Sequence, residues 1–230
     1  MRQDFRRGAV VGLPIVLGYF PIAFSFGVGA VKAGLSPYEA VAASVLMFSG
    51  AAQFMAIALI AAGAGFWVML ATLVGISLRH LLYGPALLRA ASLSAPPRGA
   101  LFWGFGLTDE VFGAALGAMA RGQKFSAGFI WGLAVLSYAA WVGGTAAGAF
   151  SGAAALAQYP ALEAGLGFML TALFLALLLS LMQRAQLPII AAALGATLAA
   201  SWAISPTAGI LAGMIIGAFV GAALRGKDAD

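Results

Sequence analysis

Three ionisable side chains lie inside long apolar stretches of this sequence and are the first candidates for chemistry. Arg79 lies in the apolar stretch 66–91, and Asp109 and Glu110 lie in the stretch 99–119. An ionised residue at the centre of an apolar helix in lipid costs about 2.5–3.5 kcal/mol, so such a residue usually has a partner or a function. Arg79 with either acid would form a charge-assisted pair, which lowers the cost of burying both groups.

The spacing predicts that these groups lie at one depth. Arg79 and Asp109 are each 15 residues from Ser94, in the loop between the two stretches. Adjacent helical residues point about 100° apart, so one acid can face Arg79 while the other faces elsewhere, and the sequence does not distinguish them. An ion pair that only fixes helix register is the structural alternative. Two acids exceed what one arginine needs, and the surplus carboxylate requires a proton, a cation or a substrate ammonium.

Polar groups nearby extend the candidate site. His80 is the only histidine; it could exchange protons near neutral pH or serve as an ordinary hydrogen-bonded residue. Gln53 can donate and accept hydrogen bonds, and Gly50 could permit local unwinding. The predicted substrate-binding or coupling residues are Arg79, His80, Asp109, Glu110, Gln53, Ser49, Gly50 and Tyr83.

Prolines predict interruptions of the helices that carry these groups. Each proline removes a backbone donor and disturbs a helix interior, and the predicted helix breaks are Pro14, Pro21 and Pro85. Discontinuous helices commonly build transporter sites, because half-helix N-termini hold carboxylates and freed carbonyls hold cations. The alternative is an ordinary kinked helix whose backbone groups are satisfied by its neighbours.

The composition requires a membrane protein. Of the 230 residues, 63% are hydrophobic and 8% are charged, and the mean hydropathy is +1.03, whereas soluble domains carry about 25% charged residues. The predicted fold is therefore an all-α polytopic transmembrane helix bundle, with residues 1–230 as one integral membrane domain. The net charge of +5 is spread thinly between apolar runs and indicates membrane orientation, not nucleic-acid binding.

Apolar runs between polar breaks give eight candidate crossings. Arg2 to Arg7 before the first run resembles a signal peptide, but the run to about Val31 exceeds a usual hydrophobic region and predicts a retained crossing. A seven-crossing alternative makes the second or seventh run re-entrant and places the termini on opposite sides. The candidate segments are approximately 9–31, 38–62, 66–91, 99–119, 126–150, 162–182, 187–202 and 204–224.

The charge distribution favours two cytoplasmic termini. With eight crossings, eight Lys and Arg residues lie on the cytoplasmic side and three on the other, and Arg79 completes the total of 12. Such an excess is typical of cytoplasmic loops.

The last segment carries a glycine stripe at four-residue spacing, formed by Gly209, Gly213, Gly217 and Gly221. Such a stripe is typical of close packing against another helix, either of this chain or of a partner. The chain has no cysteine and one histidine, so a zinc site is not expected. Without a phosphate-binding loop or dinucleotide fingerprint, we expect no cofactor and no enzymatic activity.

Several of these motifs together resemble the AzlC-type family of branched-chain amino acid exporters. The resemblance covers the chain from near its start to about residue 174, and the stretches that carry it are Leu13-Pro14-Ile15-Val16 with Gly18-Tyr19, Ser49-Gly50-Ala51-Ala52-Gln53-Phe54, Arg79-His80-Leu81-Leu82-Tyr83-Gly84-Pro85, Gly106-Leu107-Thr108-Asp109-Glu110-Val111-Phe112, and Tyr159-Pro160-Ala161-Leu162-Glu163-Ala164 with Gly167-Phe168-Met169-Leu170. It implies export of valine, leucine, isoleucine or their analogues, a bacterial inner-membrane location, and a small hydrophobic AzlD-type partner subunit.

These expectations combine into one hypothesis, secondary transport by alternating access. Arg79 or the backbone at Gly50 would hold the substrate carboxylate, and Asp109 or Glu110 would hold the ammonium. The candidate residues for an apolar pocket are Phe48, Phe54, Phe105 and Phe112. A passive channel or facilitator, and a structural subunit whose partner carries the pathway, are the alternatives.

Overall fold

The helices begin and end where apolar runs meet glycine, proline and capping residues. The computed structural model describes residues 2–93, 99–152, 158–161 and 184–227, together with positions 164, 165, 168, 171, 172, 175, 178, 179 and 182. All regular elements of these described residues are helical, which confirms the all-α prediction. They are α1 (Arg2–Lys32), α2 (Pro37–Leu46), α3 (Gly50–Ala61), α4 (Phe66–Ser77), α5 (His80–Ala90), α6 (Ala100–Phe105), α7 (Asp109–Ala120), α8 (Ala127–Ala147), α9 (Leu187–Ala203) and α10 (Pro206–Lys227).

Helix length and composition agree with a membrane bundle. Within the described ranges, three helical stretches are long and apolar enough to cross a bilayer: Arg2–Lys32, Phe66–Ala90 and Ala127–Ser151. Shorter apolar helices cover Gly50–Ala61, Leu187–Ala203 and Ala208–Leu224. The predicted segment 162–182, with Glu163, lies mostly outside the described residues.

Two predicted segments are discontinuous, but not at the prolines. The predicted breaks at Pro14 and Pro21 are wrong because both residues lie inside the unbroken helix α1. Pro85 likewise lies inside α5. A proline removes only one backbone donor, and neighbouring helices can satisfy the carbonyl it frees. The observed interruptions lie at Met47–Ser49 and at Gly106–Thr108. At Leu78–Arg79 the backbone stays in the right-handed helical conformation, and Phe66–Ala90 forms one helical stretch.

Both interruptions contain a new helix start deep in an apolar segment. After α2, the backbone is extended at Ser49, and α3 begins at Gly50 without a side-chain cap. After α6, Thr108 caps α7 by accepting a hydrogen bond from the Val111 N–H. The first turn of α7 then contains Asp109 and Glu110, which the positive end of the helix dipole stabilises.

Helices α1 and α8 pack backbone to backbone and run parallel. Their contacts proceed in the same direction along both chains, from Gly8 near Phe129 to Gly27 near Thr145. Small residues permit this approach in a membrane, where hydrophobicity alone does not drive helix association. A methyl group would overlap a backbone carbonyl of the facing helix at Gly8, Gly27, Gly132, Gly144 and Gly148.

The chain divides into two compact units, residues 1–170 and 171–230. In the second unit, the glycine stripe of α10 faces α9: Gly209 lies against Ser201, Gly213 against Thr197 and Gly217 against Ala193. Gly221 lies near Ile189. The stripe therefore has a packing partner within this chain. The assignment of residues 1–230 to one transporter domain stays a prediction.

Two adjacent glycines provide a test of the α1–α8 contact. Gly144→Ala places a methyl group against the Phe20 carbonyl, whereas a methyl at Gly143 meets no atom within 4 Å. We expect Gly144→Ala to destabilise the fold by about 1–3 kcal/mol through overpacking, seen as a lower melting temperature in detergent. Gly143→Ala should be neutral or slightly stabilising. Equal melting temperatures for the two variants would contradict the backbone contact.

Candidate functional site

An ion pair joins the two apolar segments that carry the charged residues. Arg79 follows the end of α4, and its Nη2 atom lies 2.8 Å from Oδ2 of Asp109. The hydroxyl of Tyr83 donates a hydrogen bond to the other oxygen, Oδ1 of Asp109. Both oxygens of Asp109 are therefore engaged, one by a cation and one by a hydroxyl.

Glu110 has a different environment one residue later. The hydroxyl of Tyr19, in α1, donates a hydrogen bond to Oε2 of Glu110 and lies 2.6 Å from Oγ1 of Thr108. A tyrosine hydroxyl has one proton. Because that proton goes to Glu110, Thr108 donates to the tyrosine oxygen.

The structure thus distinguishes the two acids. Asp109 pairs with Arg79, whereas no cation of the described residues lies within ion-pair distance of Glu110. This difference follows from their adjacent positions in the first turn of α7, which point their side chains about 100° apart. Glu110 is the surplus carboxylate that the sequence predicted without identifying it.

The cluster combines a buried side with an accessible side. Tyr19 is 4% exposed, while the side chains of Arg79 and Asp109 are 35% and 23% exposed. Arg79 lies near the middle of the apolar stretch Phe66–Ala90, and Tyr19 near the middle of Arg2–Lys32. The Nη2 and Nε atoms of Arg79 are themselves buried, so the exposed part of this side chain lies away from the contact with Asp109.

His80 and Tyr83 extend the cluster on the α5 side. The His80 ring lies 5.1 Å from the Tyr83 ring, between centroids, and its Nδ1 atom is 3.2 Å from the Ser77 carbonyl. Tyr83 also stacks on Phe112, with centroids 4.6 Å apart. His80 thus contacts the tyrosine that binds Asp109.

The other three predicted residues lie in a second polar group around the α2–α3 interruption. Gln53 is fully buried; its Nε2 donates to Ser44 Oγ at 3.0 Å, and its Oε1 accepts from the Trp141 indole at 2.7 Å. Ser44 also bonds Thr145, at 2.7 Å between the two hydroxyl oxygens. This network fixes α2 and α3 to α8.

The start of α3 is covered by the Trp141 indole. A methyl group on Gly50 would lie 2.6 Å from Cη2 of Trp141, and Ser49 is buried. No side chain caps α3, and its first turn has no acid. The positive end of this helix therefore faces an aromatic ring.

Tyr19 connects the two polar groups. Its ring contacts Trp141 edge to face at 5.0 Å and Phe48 at 6.1 Å, between centroids. The predicted residues thus form two groups, with Tyr19 and Trp141 between them. The first group is Arg79, His80, Tyr83, Asp109 and Glu110. The second group is Ser49, Gly50 and Gln53.

The four candidate phenylalanines do not line a common pocket. Phe48 contacts Phe105, with centroids 6.4 Å apart. Phe54 instead packs on Phe26, and Phe112 stacks on Tyr83. Phe48 lies next to Tyr19 and Phe112 next to Tyr83, so these two adjoin the acids.

Sequence reasoning missed Tyr19, Thr108 and Trp141. Thr108 carried a usable signal, since threonine before two acids is typical of a helix N-cap and first turn. Tyr19 and Trp141 are separated by more than a hundred positions, and their contact follows from the parallel packing of α1 and α8. The described residues contain no group of His, Asp and Glu side chains suited to a metal ion.

The region that contains both polar groups matches a known protein family, described as AzlC protein, over residues 14–156. This chain belongs to the AzlC family. The match extends from before Tyr19 to beyond Thr145, so the AzlC region includes every residue of the candidate site. It ends before α9 and α10.

The names of similar proteins describe them as membrane proteins. The Inner membrane protein YgaZ of Escherichia coli is 43% identical over 190 residues, which cover 82% of this chain and 78% of YgaZ. An uncharacterized membrane protein of Archaeoglobus fulgidus is 39% identical over 175 residues, 76% of this chain and 74% of that protein. An uncharacterized membrane protein of Helicobacter pylori is 26% identical over 176 residues, which cover 75% of this chain and 73% of that protein. No solved structure matches.

The ion pair can be tested by a double-mutant cycle. Arg79→Gln or Asp109→Asn alone leaves one charge unbalanced, and we expect each to destabilise the AzlC chain by about 1–3 kcal/mol, less than for a fully buried pair. The double variant should lose less than the sum of the two. Melting temperatures in detergent measure this, with the exposed Arg89→Gln as the control expected to be neutral. Additive losses would contradict the pairing.

Proposed function

We propose that this AzlC-family membrane protein exports branched-chain amino acids such as valine, leucine and isoleucine by alternating access. The observation that carries the proposal is an arginine–aspartate pair with a surplus glutamate, near the middle of apolar segments and at a helix interruption. A purely structural pair would need one acid. The additional carboxylate suits a substrate ammonium or a proton.

The charged ends of an amino acid match this cluster. Arg79 would hold the substrate carboxylate, because a guanidinium binds carboxylates through paired hydrogen bonds. Glu110 would hold the ammonium, since no protein cation of the described residues neutralises it. Gly50 is the weaker choice for the carboxylate, because the Trp141 ring covers it.

The aliphatic side chain of the substrate would contact aromatic rings beside the acids. Phe112 stacks on the tyrosine that binds Asp109, and Phe48 contacts the tyrosine that binds Glu110. An apolar surface of this kind favours aliphatic side chains by roughly 0.8 kcal/mol for each buried methylene group. It would disfavour polar substrates.

An ion gradient would supply the energy. The sequence contains no nucleotide-binding motif, and Glu110 can exchange a substrate ammonium for a proton. Competition between the two cations at one carboxylate would couple amino acid exit to proton entry, with His80 as a further candidate for proton exchange.

The resemblance adds a partner and a location to the proposal. An AzlD-type small hydrophobic subunit would work with this chain in the bacterial inner membrane, with both termini of the chain in the cytoplasm. The relative named as an inner membrane protein supports that location.

Counterflow of labelled valine in proteoliposomes, with and without the small subunit, tests the proposed function. Transporters exchange labelled for unlabelled substrate and respond to a proton gradient. Valine flux that does not change with the proton gradient would favour a channel or facilitator. Flux that needs the small subunit and tolerates neutralisation of Arg79, Asp109 and Glu110 would favour a structural subunit.

Neutralising the acids should separate their roles. We expect Glu110→Gln to abolish the pH dependence of valine efflux and to lower gradient-driven efflux at least about tenfold, since a hydrogen bond to a charged group contributes about 1.5–3 kcal/mol. Asp109→Asn should reduce efflux as well, by removing the charge that positions Nη2 of Arg79. The measurement is initial efflux from vesicles across the neutral pH range.

The control is Glu39→Gln, because Glu39 is exposed and glutamine also satisfies the capping box at the start of α2. It should transport as the unmodified protein does. If Glu110→Gln and Asp109→Asn both leave efflux and its pH dependence intact, the site assignment is wrong.

A further inference from the structure

Two helix starts lie on either side of a single aromatic contact. Glu110 belongs to the first turn of α7, and Gln53 to the first turn of α3. Tyr19 binds Glu110, Trp141 binds Gln53, and the two rings meet edge to face. From this geometry we propose that Tyr19 is a positioning residue, which transmits the charge state of Glu110 through Trp141 to the start of α3.

The first step of this link is electrostatic. A hydroxyl that donates to a carboxylate forms a charge-assisted hydrogen bond, roughly twice as strong as one between neutral groups. When a proton binds a Glu110 oxygen, or a substrate ammonium takes its charge, that assistance ends. Tyr19 is then held only by a weaker, neutral hydrogen bond to Glu110 and by its contact with Thr108.

The second step is steric. Tyr19 is almost fully buried and packs against Trp141, which covers Gly50. Core side chains are close-packed, so displacement of one ring requires displacement of the other. Release of Tyr19 therefore frees the Trp141 ring to withdraw and uncovers the unpaired N–H groups at the start of α3, which suit a carboxylate.

The surrounding titratable groups that the structure describes offer no second connection between Glu110 and Trp141. Among the described residues around Tyr19 and Glu110, the titratable or charged groups are Asp109 from α7 and Arg79, His80 and Tyr83 from the α4–α5 segment. Helices α3 and α8 carry no charged residue, and the Tyr138 hydroxyl of α8 donates to the Val45 carbonyl. Among these groups, Tyr19 is the one that contacts both Glu110 and Trp141.

The link rests on the proposed function for its purpose: a cation arriving at Glu110 would change the exposure of the start of α3. Its mechanism can be tested without transport. The chain has no cysteine, so Ala51→Cys, in the first turn of α3, reports on exposure of that helix start through its rate of reaction with a maleimide at one pH.

We expect Glu110→Gln, which imitates the protonated glutamate, to raise the Ala51→Cys labelling rate about tenfold, as expected for loss of a charge-assisted hydrogen bond. Tyr19→Phe should raise it by a similar factor, and the combined variant should show no further rise. Tyr138→Phe, which also loses one tyrosine hydrogen bond between helices, is the matched control and should leave labelling unchanged.

The outcomes separate the inference from the proposed function. If Glu110→Gln raises labelling and Tyr19→Phe does not, or if their effects multiply, Tyr19 is not the link. Should Tyr19→Phe fail to fold, valine can be added to the Ala51→Cys protein; unchanged labelling at saturating valine, in protein that exchanges valine, overturns the inference. If the unmodified protein does not exchange valine but the variants show the expected labelling pattern, only the proposed function is wrong.

Discussion

The ion pair between Arg79 and Asp109 is the interaction on which the site depends. Neither charge would be tolerated alone at the middle of an apolar segment, and their contact at 2.8 Å fixes the α4–α5 segment to the start of α7. The pair uses the charge of Asp109 completely. Glu110, one position later, accepts hydrogen bonds from the Tyr19 hydroxyl and from its own backbone N–H, and no cation of the described residues pairs with it. For this reason the proposed function gives the substrate ammonium and the proton to Glu110.

A charged cluster of this kind needs both an interrupted helix and a rigid support. Asp109 and Glu110 occupy a first turn only because α6 ends at Phe105 and α7 restarts after Thr108; in a continuous helix they would lack the free N–H groups and the dipole that stabilise acids. The support comes from α1 and α8, whose backbones contact through glycines along their length. These two helices supply Tyr19 and Trp141, so tight glycine packing holds the residues between the two interruptions.

Sequence reasoning reached the charged pair and the helical membrane fold because both follow from local rules. The low charge content excludes a soluble surface, and equal spacing of Arg79 and Asp109 from Ser94 predicts equal depth. It failed at the prolines: Pro14 and Pro21 are absorbed within α1, whereas the real interruptions fall at sequences such as Met47–Ser49 that carry no proline. Contacts such as Tyr19 with Trp141 depend on which helices run side by side, and no periodicity in one helix contains that information.

The arrangement of the two helix starts constrains how an amino acid could be handled. The carboxylate and ammonium of an α-amino acid are attached to the same carbon, so both charged groups bind within one small volume. Arg79 pairs with Asp109, the residue next to Glu110, whereas Gly50 lies behind the Trp141 ring. A substrate that binds first at the charged cluster could reach the start of α3 only after the aromatic contact opens. In the proposed transport cycle, the charged cluster would therefore bind the substrate before the start of α3 becomes accessible.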